Sequence, residues 1–278
     1  MTIGVFLAVM LAALLHAGWN AIVKTGLNKQ TSMLLLTIGH AIIGACVAAA
    51  YPFPIPEAWP WLIVSGLIHM AYQVFLAHAY EQGDLSRVYP IARGAAPMLV
   101  LLVSFVFLTD NLEGAEVWGV LVLGAGIVLM ARGALANGES RRLLPFAFGS
   151  ALATAGYTLA DGLGARVSGE PIAYVGWLMI LSAVFFAPAI VALKGREVLR
   201  ADARAWGYGM IAAAASFAAY AIAVWAMTIA PIALVGALRE TSIMFAVLIG
   251  WLFFGERMDR GKAIAAGFIV AGVVLTRL

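Results

Sequence analysis

The sequence predicts an all-α integral membrane fold, with ten transmembrane helices arranged as two inverted five-helix repeats. Three observations carry this reading. Of 278 residues, 64% are hydrophobic and only 11% are charged, whereas a soluble domain carries about 25% charged residues. The apolar residues fall into runs of about 20, the length that crosses a bilayer core as a helix. Residues of the first half recur in the second at constant spacing.

The expected spans follow in order. The first covers 2–24 and starts MTIGVFLAVMLAALLHAGWNA; no basic stretch precedes it, so it reads as a retained span and not a cleaved signal peptide. The second, 31–51, ends at YPFPIPEAWP, whose prolines cannot continue a helix. The third, 59–80, opens on Trp59 and Trp61, placed as interfacial aromatics are. The fourth, 86–108, carries VYPIARGAAP near its start, and the fifth, 115–132, is the shortest, with Trp118 near its start. The remaining five cover 145–166, 171–193, 205–228, 232–254 and 259–277, the eighth with Trp206 near its start. Pro145, Pro171 and Pro231 stand where a first-turn proline is tolerated, because its missing N–H would be unpaired anyway. No long polar segment offers an extramembrane domain.

The halves, 1–138 and 139–278, resemble each other. Ala17-Gly18-Trp19 and Gly26 match Ala155-Gly156-Tyr157 and Gly164 at an offset of 138. Beyond a longer loop, KGREVLRADARA against YPFPIPE, the offset becomes 146. There Arg93 matches Arg239, Asp110 matches Glu256, Glu113 matches Asp259, Gly126 matches Gly272 and Leu129 matches Leu275. Five spans are an odd number, so the second half must enter the membrane in the opposite direction. Inverted halves can exchange conformations, which lets one central site open to either side in turn.

Charge adds orientation. The pI is about 9.1, but the basic residues sit in short loops and read as topology signals, with no nucleic-acid surface implied. Loops on one face hold thirteen of the seventeen Lys and Arg; the other face holds Arg166 and Arg277, and Arg93 and Arg239 lie inside spans. The positive-inside rule puts both termini outside the cytoplasm of an inner-membrane, multi-pass protein. Cys46 is the single cysteine, so no intrachain disulfide forms.

FFGERMDRGKAIAAGFIVAGVVL (253–275) is similar to the segment ending each half in the EamA family of the drug/metabolite transporter superfamily. Gly255-Glu256-Arg257 matches directly, Ala265 stands where a first glycine is usual, and Gly272 is the second. The first half is looser, with Thr109-Asp110-Asn111, Gly119 and Gly126. HAGWNAIVK (16–24) and VYPIARGAAP also resemble a branch of these permeases, some of which accompany phosphonate use. The resemblance implies a basket of ten helices around a central cavity and metabolite transport without ATP. Many members place their basic loop between spans 2 and 3; here that loop has no Lys or Arg, which points to the opposite orientation.

Charged and aromatic residues inside spans are the candidate site. Arg93 lies seven residues into span 4, about 10 Å along a helix at roughly 1.5 Å per residue. Arg239 lies equally deep in span 9 from the opposite face. Two guanidiniums suit a carboxylate, phosphate or phosphonate, each through paired parallel hydrogen bonds. Pro90, Gly94 and Pro97 loosen the helix around Arg93. The substrate-binding candidates are Arg93, Arg239, Trp19, Asn20, Tyr72 and Tyr89; an interhelical salt bridge is the competing role for the arginines. Glu240, Asp161 and His16 are the proton-coupling or gate candidates, with a solvated role open for Asp161 near its helix end. His69, Tyr72, Gln73 and Tyr80 make a polar stripe that should face the interior, while His40 and His78 read as packing residues.

No phosphate loop, metal-ligand cluster or serine–base pairing is present in the sequence, so no cofactor, no metal and no catalytic residue is expected. The expected partners are a small-molecule substrate and the lipid bilayer, with the chain a monomer or a homodimer. The reading is a secondary transporter that moves a small anionic or zwitterionic metabolite, such as an amino acid or aminophosphonate. Two alternatives stay open: a flippase for lipid-linked carriers, and an intramembrane enzyme or ligand sensor.

Overall fold

The structure is a computed structural model. It describes residues 1–25, 29–82, 96–107, 112–135, 143–255, 258 and 260–278. Eleven α-helices lie among the described residues: α1 (Ile3–Thr25), α2 (Lys29–Ala50), α3 (Trp59–Gln82), α4 (Ala96–Phe107), α5 (Gly114–Leu135), α6 (Leu143–Ser168), α7 (Pro171–Lys194), α8 (Ala203–Ile229), α9 (Ile232–Arg239), α10 (Ser242–Phe254) and α11 (Arg260–Leu275). Short 3-10 turns, Pro56–Ala58 and Arg196–Leu199, precede α3 and α8. Among the described residues, six stretches are long and apolar enough to cross a bilayer: Ile3–Val23, Gln30–Ala50, Pro56–Leu76, Pro171–Lys194, Ala203–Ile229 and Ile232–Phe253. The chain is therefore a multi-pass membrane protein.

Local chemistry keeps these helices intact in an apolar medium. Hydroxyls inside them donate back to their own backbone: Thr37 to Met33 O at 2.7 Å, Thr154 to Ser150 O at 2.8 Å and Thr158 to Thr154 O at 2.7 Å. No hydroxyl is then left facing lipid unpaired at these positions. Leu7, Leu11, Leu14, Leu152, Ile211 and Phe253 are exposed and suit hydrocarbon surroundings.

The expected ninth span, 232–254, is not one continuous helix. Arg239 ends α9, Glu240 and Thr241 form a tight turn, and Ser242 begins α10. Glu240 N–H donates to Ala237 O at 3.0 Å, Thr241 N–H to Leu238 O at 3.1 Å and Ile243 N–H to Glu240 O at 3.0 Å. These are 3-10 bonds set inside an α-helical path. Thr241 Oγ1 adds a bond to Leu238 O at 2.7 Å, so a side chain competes for the same carbonyl. Pro231 also differs from expectation: it is the N-cap of α9 and not its first helical residue.

Packing relates the two halves. The pairs α3·α6 and α1·α8 correspond when the halves are exchanged, as do α3·α7 with α2·α8, and α4·α6 with α1·α10; α2·α7 and α5·α11 map onto themselves. The α5·α11 crossing shows the relation at atomic scale. A Cβ on Gly126 would lie 2.9 Å from Ala265 O, and one on Gly272 would lie 2.7 Å from Gly119 O. The offset of 146 carries Gly119 to Ala265 and Gly126 to Gly272, so each contact is the image of the other. Low numbers meet high ones, so these equivalent helices run antiparallel. Gly255, first residue of Gly-Glu-Arg, caps α10 at φ 65°, a left-handed conformation that glycine takes without strain.

Candidate functional site

Asp161 is the centre of a buried polar cluster. It is 0% exposed, which removes the solvated role left open for it. The reason is that α6 runs on to Ser168 and is covered by α3, α7 and α8. Tyr174 on α7 donates its hydroxyl to Asp161 Oδ1 at 3.2 Å. Tyr220 on α8 donates to Asp161 Oδ2. His69 Nε2, on α3, lies 3.1 Å from the same oxygen and 3.2 Å from the Tyr220 hydroxyl. Two phenols from two helices thus donate to one carboxylate carried by a third, and an imidazole nitrogen from a fourth faces the same carboxylate.

Aromatic rings pack around this centre. His69 stacks on Tyr157 with centroids 4.2 Å apart, and Tyr72 meets Tyr157 edge-on at 5.4 Å. Arg239 is 5% exposed, and its guanidinium carbon sits 5.1 Å from the Tyr220 ring centroid. Tyr220 therefore joins opposite charges: its ring face meets a cation and its hydroxyl meets a carboxylate. Arg239 owes this position to the end of α9, where the 3-10 turn sets its direction.

The sequence-derived candidates separate into groups. Tyr72, Asp161 and Arg239 come together through Tyr157 and Tyr220. His16, Trp19 and Asn20 form a second group on α1: Trp19 Nε1 donates to His16 Nδ1 at 3.3 Å, and Asn20 Nδ2 donates to His16 O at 2.7 Å. Trp19 packs with Val23, Leu36 and Ala212, away from the apolar cluster that holds Tyr72, Tyr157, Tyr174 and Tyr220. Glu240 is buried in the turn after Arg239. Arg93, Tyr89 and the side chain of Tyr80 lie outside the described residues.

The α3 stripe faces inward as expected, with His69, Tyr72 and Gln73 all buried. Gln73 Nε2 donates to Ser182 Oγ at 3.3 Å, and Thr37 Oγ1 donates to Gln73 Oε1 at 3.3 Å. His78 stacks on Phe146 at 5.5 Å, a packing contact. Sequence reasoning missed Tyr174 and Tyr220 and placed His69 only in the interior-facing stripe of span 3, with no link to Asp161. A signal was present for Tyr220: a phenol in the alanine-rich run AAAASFAAYAIAVW needs a hydrogen-bond partner inside a membrane helix.

A cleft of about 650 Å³ opens elsewhere, between the end of α1, the start of α2 and residues 197–209. Ile22, Val23 and Leu35 form its apolar wall, and Glu197, Arg200, Asp202 and Arg204 its charged rim. It does not include Asp161 or its neighbours. It does bring the end of α1 and the start of α2 to the same face as the basic stretch before α8. On α6, Arg166 plays a structural role. Its Nε donates to Met227 O at 2.8 Å and an Nη to Ala230 O at 3.0 Å, satisfying carbonyls at the end of α8.

Apolar helices around a sealed cluster of acid, histidine, arginine and tyrosines, with an interrupted helix beside it, define a multi-pass membrane protein built like a transporter. The comparisons give the family. The chain belongs to the EamA-like transporter family, whose sequence model matches it twice, over residues 2–132 and 142–278. A protein solved by crystallography shares the fold at a TM-score of 0.77 and 23% identity, over 99% of this chain and 98% of its own. No curated protein matches.

Proposed function

We propose that this chain is a secondary transporter that moves a small anionic or zwitterionic metabolite, an amino acid or aminophosphonate, across the inner membrane by alternating access. In this reading ten spans, 1–138 and 139–278, form two inverted repeats around a central site. The observation that carries it is the juxtaposition of Arg239 and Asp161 on the two poles of Tyr220, beside a helix interruption. A buried guanidinium recruits a carboxylate or phosphonate through two parallel hydrogen bonds. The tyrosine rings and Asp161 then offer the complementary end a place for an ammonium group. Arg93, Tyr89, Tyr72, Trp19 and Asn20 complete the binding set, and Glu240, Asp161 and His16 serve proton coupling or gating.

The interruption at Glu240–Thr241 supports movement. A helix broken at membrane depth turns backbone groups toward the interior and supplies a hinge, as in transporters whose discontinuous helices hold their cargo. The experiment is a thermal-shift screen of purified protein against amino acids, aminophosphonates, sugar phosphates and organic amines, with Arg93→Ala and Arg239→Ala alongside. Stabilisation by an anionic or zwitterionic class, lost in both variants, is the expected result. Stabilisation by amines alone reverses the charge assignment.

A further inference from the structure

We infer that His69, held by Asp161, is a proton-binding site and that the chain couples one proton to each substrate anion, as a symporter. This rests on the transport reading above and adds its driving ion.

The argument starts from hydrogen-bond directions. Both phenols have Asp161 as acceptor, through Tyr174 to Oδ1 and Tyr220 to Oδ2. His69 Nε2 faces that carboxylate at 3.1 Å, so Nε2 carries its hydrogen and Nδ1 keeps the lone pair. The second nitrogen of a histidine oriented in this way is the place where a proton lands. The groups around His69 are His40 on α2, within electrostatic reach; Tyr157 and Asp161 on α6; Tyr174 on α7; Tyr220 on α8; and Arg239 on α9, through Tyr220. On α3 itself, Ser65 and Gln73 lie one turn to either side, and both are buried. This polar row runs over the nine residues from Ser65 to Gln73, about 12 Å along the helix at roughly 1.5 Å per step.

Charge balance then links proton and substrate. A proton on His69 adds a positive charge to a buried site that already holds Asp161, Arg239 and Glu240, in a membrane interior where added charge is costly. An anionic group arriving at Arg239 is attracted by that added charge and offsets it. Each ligand therefore favours the other, and linkage makes the effect reciprocal. The step balances simply: water on one face gives a proton to Nδ1, the loaded site turns to the other face, and Nδ1 returns the proton to water there.

The proton site is tested first without any substrate. Protein labelled with ¹⁵N-histidine carries four histidines, and His69→Gln identifies the His69 signals. The proposal expects an Nε2–H tautomer whose unprotonated Nδ1 signal is lost on acidification. Asp161→Asn should scramble the tautomer. An Nδ1–H tautomer, or a His69 signal that acidification does not move, overturns the site. Coupling is then read in proteoliposomes loaded with pyranine, with 2-aminoethylphosphonate, glutamate and glycine as probes. Uptake of an accepted probe should acidify the lumen, and the proton-to-substrate ratio should fall toward zero in His69→Gln. Counterflow in wild type with no proton movement overturns the coupling and leaves the transporter standing. No counterflow with any of the three probes overturns the transport reading itself, and the symport with it.

Discussion

The Tyr220 hydroxyl on α8 donates to the Asp161 carboxylate on α6, and the face of the same ring carries the Arg239 guanidinium. One phenol therefore separates a buried anion from a buried cation. Tyr220→Phe divides its two roles, because the ring stays and the hydroxyl goes. Leaving a buried acceptor one donor short costs about 1–3 kcal/mol. The expected outcome is a lower unfolding temperature in detergent with a folded, monodisperse protein. Substrate affinity should fall less than in Arg239→Ala, since the cation–π face survives. An unchanged melting temperature would show that Asp161 does not depend on this donor.

Arg239 is expected to need its shape as well as its charge. Lysine keeps the charge but loses the planar fork that pairs with a carboxylate or phosphonate. Losing one of two charge-assisted bonds, at about 1.5–3 kcal/mol each, predicts at least a tenfold rise in Kd for Arg239→Lys. Arg239→Ala should abolish binding. Titration calorimetry with the class found by thermal shift checks both. Equal affinity in wild type and Arg239→Lys would make Arg239 a simple counter-charge, with no direct fork on the substrate.

The membrane class was readable from the sequence because hydropathy at a length of about 20 residues is a strong signal. The repeat was readable because Gly126 and Gly272 sit where two helices touch backbone to backbone, and only small residues fit there. The break at Glu240–Thr241 was not readable. It contains no proline or glycine, and it coincides with a threonine hydroxyl bonded to the Leu238 carbonyl, a feature that unbroken helices also carry. The same limit hid the Asp161 cluster. Tyr174 is only thirteen residues from Asp161 in sequence, but His69 and Tyr220 are 92 and 59 residues away, and nothing local links them.

The α5·α11 crossing gives a prediction that is independent of substrate. Gly272→Val would drive a Cβ against Gly119 O at 2.7 Å, a backbone atom that cannot move aside. Overpacking of this kind costs about 1–3 kcal/mol. Gly126→Val, the equivalent change in the other half, meets Ala265 O at 2.9 Å and should cost a similar amount. Gly267→Ala on the same α11 is the control, because nothing lies within 4 Å of its added Cβ. Detergent melting curves should show losses for the first two and little change for the third. Equal behaviour of all three would mean that this crossing is not tight in the membrane.

The last prediction concerns sidedness. The cleft brings Ile22 and Val23 at the end of α1 and Thr31 at the start of α2 together with Arg200 and Arg204, so those helix ends share a face with the basic stretch before α8. At the other end, Arg277 donates to Met1 O at 2.7 Å, and Met1 packs in the cluster that holds Ile232 at the start of α9. The two termini therefore lie together. By the positive-inside rule the basic face is expected in the cytoplasm. An alkaline phosphatase fused after Leu278 should then be active, and a fluorescent protein in the same place dark. A fluorescent insertion after Arg200 should glow. Each half of the fold could sit either way up by packing alone, because the crossings are exchanged by the internal symmetry; the loop charges are what break the tie. The reverse pattern of reporters would mean that these loops do not set the orientation, and it would exchange the faces at which the proton and substrate enter.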